Sequence, residues 1–120
     1  MTQNELKLRT RQFALRIINL VESLPNNRIA NSIANQLIRS GTSVGANYRA
    51  VCRAKSTADF IHKLAIVEEE ADETGYWLEL LAECGLMPFA RLRELLEEAD
   101  EIVAIVVAAS ITTKQRRNPK

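Results

Sequence analysis

A chain of 120 residues suffices for one domain, and its 47% hydrophobic and 26% charged residues describe a folded globular protein rather than a disordered one. Four Gly and three Pro are too few turn residues for a β-sandwich or a Gly-rich nucleotide fold, and one His with two Cys excludes most zinc architectures and any disulfide framework. Sixteen Lys and Arg against fifteen Asp and Glu leave a net charge of +1, a total that conceals how the charges are distributed.

The first predicted helix covers residues 4–23 and aligns Leu6, Phe13, Ile17, Leu20, Val21 and Leu24 on one face at about 100° per residue. Leu24-Pro25-Asn26-Asn27 punctuates the chain as a turn, because Pro fixes φ and Asn serves as a helix cap. A second helix over 27–54 brings Ile29, Ile33, Leu37, Val44, Tyr48 and Val51 together. Ser56 is the expected N-cap of a third helix over 57–84, with Asp59 at the spacing of a weak capping box. That helix aligns Phe60, Leu64, Val67, Ala71, Leu78 and Leu81. Gly85 then Pro88 separate it from a fourth helix over 88–112, which aligns Leu92, Leu95, Leu96, Ala99, Ile102, Val103, Val106 and Val107. Four amphipathic helices with short links predict an all-α, antiparallel up-down-up-down bundle. The domain is expected to cover 1–113, with 114–120 a basic flexible tail.

Met1-Thr2-Gln3-Asn4-Glu5 leads into no apolar signal core, and the longest apolar run, Ile102 to Ala109, is far too short to span a bilayer. A reduced, cytoplasmic protein with no membrane partner is the expectation. Several helices carry more apolar surface than one core stripe requires: Leu8, Leu15 and Ile18 on the first, Ile66, Trp77, Leu80 and Cys84 on the third, Ile105 and Ile111 on the fourth. A bundle helix ordinarily keeps one side polar. Wide core burial accounts for some of this surface, and self-association through Leu8, Leu15, Ile66, Trp77 and Leu80, with Trp77 as anchor, accounts for the rest.

Charge is segregated along the chain. Residues 1–57 contain nine basic and two acidic side chains, residues 58–113 three basic and thirteen acidic, and residues 114–120 four basic. Arg28, Arg39, Arg49 and Arg53 fall within roughly 80° of one another on the second helix, and Arg9 and Arg16 lie one heptad apart on the first. Guanidinium forks suit phosphate oxygens, so these six arginines are the candidate nucleic-acid surface. The competing reading is a solvated face, or pairing with Glu68, Asp72, Glu79 and Glu83 of the third helix.

Little else points to chemistry. His62 shares a side of its helix with Glu69 and Glu73, but Asp59-x-x-His62 is a lone near match to paired Glu-x-x-His metal motifs, and no metal or cofactor is expected. Ser40-Gly41-Thr42-Ser43-Val44-Gly45 lacks the Gly-Lys-Ser/Thr ending of a phosphate loop; Gly41 and Gly45, four apart, instead suit close helix packing. Cys52 and Cys84 have no His partner, and no nucleophile with base and orienting group can be assembled. No catalytic residue is assigned, and a non-enzymatic protein is expected.

The stretch Gln36-Leu37-Ile38-Arg39-Ser40-Gly41-Thr42-Ser43-Val44-Gly45-Ala46-Asn47-Tyr48-Arg49-Ala50 resembles the bacterial four helix bundle protein family, also called the 23S ribosomal RNA intervening-sequence proteins. The similarity continues through Ala54-Lys55-Ser56 and Asp59-Phe60-Ile61-His62-Lys63-Leu64 into Ile66-Val67-Glu68-Glu69-Glu70-Ala71-Asp72-Glu73-Thr74. Many relatives follow the Asn with Ile-Ala-Glu-Gly where this chain has Tyr48-Arg49-Ala50-Val51, which marks a distinct branch. The resemblance implies a homo-oligomer, most often a pentameric ring. It also implies a relation to the accessory proteins of diversity-generating retroelements, similar basic barrels that bind nucleic acid and a reverse transcriptase. A scaffold that binds only protein is the alternative.

Overall fold

The computed structural model describes residues 1–117, which form α1 (Gln3–Glu22), α2 (Arg28–Val51), α3 (Thr57–Glu83) and α4 (Phe89–Arg117). Local chemistry sets most boundaries. The side chains of Thr2, Asn27 and Ser56 accept the backbone N–H of Glu5, Ala30 and Asp59, each satisfying a donor that the first turn leaves unpaired. The Ser56–Asp59 pair is not a reciprocal box: the short Asp59 carboxylate accepts the N–H of Lys55 at 3.1 Å, one residue further out than the cap. Bonds from Lys63 and from that N–H also hold the Asp59 carboxyl below the usual carboxylate range. α3 ends where Gly85 adopts φ 77° and Leu86 N–H reaches the carbonyl of Leu81 at 3.0 Å, a turn that favours a residue without Cβ.

The fourth helix runs beyond its expected end. Lys114, Gln115, Arg116 and Arg117 continue it instead of fraying, because all four are good helix formers and three of them place positive charge against the negative C-terminal dipole. The last residues of the expected tail, 118–120, lie outside the described residues.

The helices pack as an up-down-up-down bundle, a rod 53 × 23 × 21 Å, with α1 against α2, α2 against α3 and α3 against α4. Of the four neighbouring pairs, α1 and α4 approach each other least closely. The core is the set of inward lines that periodicity predicts, led by Phe13, Ile17, Leu37, Val44, Leu64, Val67, Leu78, Leu81, Leu92, Ile102 and Val106. Ile29 and Val107 are exceptions. Val107 is only half-buried and outside the core cluster, beside the fully inward Val106. Ile29 is 57% exposed because the inward line of α2 passes through Ala30, about 100° away from it. Val21, Leu24, Phe60, Leu96 and Val103 are half-buried at the edges of the core. Among the described residues three polar ones are buried, and none is orphaned: Thr10 donates to the Leu6 carbonyl, while Thr74 donates to Ser40 across the α2–α3 seam. No helix among the described residues is long and apolar enough to cross a membrane.

Gly41 and Gly45 bring α1 and α2 together. A Cβ on Gly41 would lie 3.0 Å from two carbons of Ile17, and one on Gly45 would lie 3.3–3.4 Å from Thr10. Gly75, in the middle of α3, has nothing within 4 Å of an added Cβ. Replacing Gly75 by Ala therefore removes backbone entropy without a clash, and urea denaturation is expected to show a gain of about 0.5–1 kcal/mol. A loss would mean that another molecule occupies that space.

Candidate nucleic-acid interface

Antiparallel packing converts the charge asymmetry of the sequence into one along the rod. The end at which α1 and α3 begin and α2 and α4 finish comprises residues 1–12, 44–67 and 102–117. It holds Lys7, Arg9, Arg11, Arg49, Arg53, Lys55, Lys63, Lys114, Arg116 and Arg117 against only Glu5 and Asp59. The other end, residues 13–43 and 68–101, holds Arg16, Arg28, Arg39, Arg91 and Arg93 against the remaining thirteen carboxylates. The two halves of the rod thus carry opposite net charges, +8 and −8.

The six arginines singled out by spacing do not act as one surface. Arg9 turns across the sparse α1–α4 seam, donating to both oxygens of Glu98 at 2.7 Å and to Glu101 at 2.8 Å. The Glu98 side chain is 13% exposed. Its hydrogen bonds from Arg9 outweigh burial and hold the carboxyl below its ordinary range, while the same bonds raise the guanidinium. The pair stabilises the fold fully above the unfolded-state carboxyl pKa, and this is lost as pH falls through the lower folded-state value. Arg39 is likewise engaged, by Glu70 at 3.4 Å and by Glu73, whose Oε2 also accepts the Trp77 indole N–H at 3.0 Å. The carboxylates that claim arginines of this set are therefore Glu70, Glu73, Glu98 and Glu101. The expected line of Glu68, Asp72, Glu79 and Glu83 takes no part in the described ion pairs.

Arg28 and Arg16 lie in the acidic half, Arg28 in the first turn of α2 and Arg16 beside Glu98. Of the six, Arg49 and Arg53 stand in the basic half, exposed and outside every described ion pair. Arg49 faces Lys7 and Arg11 across the α1–α2 seam, where these three cations line an open groove of about 780 Å³ with Asn4, Leu8, Ala14, Thr42, Gly45 and Ala46. No carboxylate among the described residues lines it. Arg53, Lys55, Lys114, Arg116 and Arg117 extend the exposed positive surface over the end of the rod.

Lys7 and Arg11 were not among the residues that spacing selected. They are one turn apart on α1, and the small residues Gly45 and Ala46 sit opposite, but only the close α1–α2 packing brings Arg49 to them.

The five apolar residues expected at a subunit interface divide as well. Leu8 and Leu15 are each 55% exposed on α1. Ile66, Trp77 and Leu80 are half-buried, and Trp77 and Leu80 pack against the core of their own chain, with Tyr76 edge-on to Trp77 at 5.0 Å between ring centroids. Wide core burial thus accounts for much of the second α3 stripe. His62 is exposed, and no group of three His, Cys, Asp or Glu among the described residues is close enough to hold a metal ion.

The model of the 23S rRNA-intervening sequence protein family matches residues 2–108. A solved structure from Bacteroides thetaiotaomicron VPI-5482, described as a protein with unknown function from the S23 ribosomal protein family, is 38% identical in sequence. The superposition covers 92% of this chain and 98% of the other, with a TM-score of 0.85. No curated protein matches the chain.

Proposed function

The chain belongs to the 23S rRNA-intervening sequence protein family, and we propose that it is a non-enzymatic, oligomeric protein that binds nucleic acid through the basic end of its bundle. One observation carries this reading: Lys7, Arg11 and Arg49 converge on a groove that no carboxylate among the described residues lines, while Arg9 and Arg39 are drawn into ion pairs. A cation left unpaired beside other cations raises the energy of the folded chain by mutual repulsion, and a phosphate backbone relieves it. Eight cations of the basic end lie outside the described ion pairs, these three with Arg53, Lys55, Lys114, Arg116 and Arg117.

A second copy covering the exposed Leu15, which lies off the groove, would multiply that surface, in keeping with the ring that the family resemblance implies.

The test is fluorescence anisotropy of labelled ribosomal RNA fragments with purified, nuclease-treated protein. With about six to ten phosphate contacts engaged, affinity falls by about 10³–10⁵ between 50 and 200 mM salt. Absence of binding at 50 mM would overturn the reading and leave the charge asymmetry to serve assembly or a protein partner.

A further inference from the structure

We propose that the basic end takes the phosphate backbone of a double helix in preference to a single strand. The inference rests on the nucleic-acid reading above and adds the class of ligand. Two independent features of the structure carry it.

The first is where the aromatic rings lie. Proteins that hold single strands stack bases on exposed rings, at about 1–3 kcal/mol per base. Here the exposed rings, Tyr76 at 53% and Phe89 at 57%, both stand in the acidic half of the rod, which repels phosphate. In the basic half Tyr48 is buried, and Phe60, half-buried against the core, lines a separate pocket beside Lys55 and not the cationic groove. The cationic groove is lined instead by an aliphatic side chain, small residues and the polar Asn4 and Thr42. That surface grips charge and sugar but offers bases no platform.

The second is rigidity. Lys7, Arg11 and Arg49 project from two long helices whose backbones are locked together at Gly41 and Gly45, so the bases of these side chains are fixed relative to one another. A fixed array of cations matches a stiff array of phosphates without ordering its ligand. A single strand must surrender conformational freedom to present phosphates in the same arrangement. A duplex also presents more charge per unit length, so each contact releases more counterions, with a salt slope of about −0.9 per phosphate against about −0.7 for a single strand. Backbone contacts position a protein without reading sequence.

The experiment titrates the full chain by anisotropy at 50 and 100 mM salt against four probes. These are an RNA duplex of about 20 base pairs, a DNA duplex of the same sequence, an RNA duplex of scrambled sequence, and a single-stranded oligouridylate of equal length, each giving Kd and its salt slope. Expected is a preference of about tenfold or more for at least one duplex over the single strand, with the two RNA duplexes within about twofold of each other. The RNA and DNA arms then show which duplex is the ligand. A single strand bound as tightly as the duplexes overturns the preference and leaves nucleic-acid binding standing. Strong discrimination between the two RNA duplexes likewise overturns backbone recognition. If no probe binds at 50 mM salt, the nucleic-acid reading falls and this inference falls with it.

Discussion

Combining Lys7→Glu, Arg11→Glu and Arg49→Glu is expected to weaken binding of structured RNA by about 10²–10³ at 50 mM salt, because three phosphate contacts are lost and three repulsions replace them. All three side chains are exposed and outside the described ion pairs, so the helical circular-dichroism spectrum and the thermal midpoint should change little. The informative control alters net charge by the same amount at the other end: Arg28→Glu, Arg91→Glu and Arg93→Glu together. The rod is 53 Å long, and screening confines exposed charges to about 10 Å at 0.1 M salt, so this variant should bind within a few-fold of the parent. Equal losses in both triples would show that net charge, and not the groove, governs affinity. Arg9→Glu is unsuitable for such a test, since it would set a third carboxylate beside Glu98 and Glu101.

Gly41→Val should lower stability by about 2 kcal/mol, through overpacking against a core that cannot yield. The first carbon of the new side chain would already lie 3.0 Å from Cγ1 and Cγ2 of Ile17, a residue with no exposed surface, and two methyl groups follow it. Removing Gly from a helix interior returns only about 0.5–1 kcal/mol. In a domain of this size the thermal midpoint should fall by roughly 10 °C. The cause can be isolated with Ile17→Ala, which leaves only Cβ facing position 41. In the Gly41→Val background this second change should cost at least about 1 kcal/mol less than it does in the parent. Additive costs, or an unchanged midpoint for Gly41→Val alone, would mean that α1 and α2 separate easily. The shared surface of Lys7, Arg11 and Arg49 would then lose its structural basis as well.

Sequence reasoning reached some parts of this protein and not others. The inward lines of all four helices follow from the 3.6-residue period, and Ser56, Asn27 and Gly85 mark helix ends because their roles there depend on neighbours within a few residues. Gly41 and Gly45 were legible as a close-packing pair for the same reason, spacing along one helix. Arg9 and Arg39 were not legible as paired residues. Their partners lie 89 and 92 residues away for Arg9, and 31 and 34 away for Arg39, on helices whose register the periodicity does not reveal. Ile29 failed for a smaller reason, since a helix periodicity fits Ile29 and Ala30 as inward candidates alike until neighbouring helices select the face.

The distribution of charge shows where the boundary falls. Composition and order along the chain determine that the first two helices are basic and the third acidic, because this needs nothing beyond counting. Which charges meet is a property of the antiparallel bundle. Packing lays the acidic stretch of α4 beside Arg9 and that of α3 beside Arg39, neutralising both, and gathers the ends rich in Lys and Arg at one pole. Electrostatic energy depends on distances in space, and those between helices are set by packing in the core, so the sequence by itself determined the helices and their total charge while the tertiary structure decided which cations were left free.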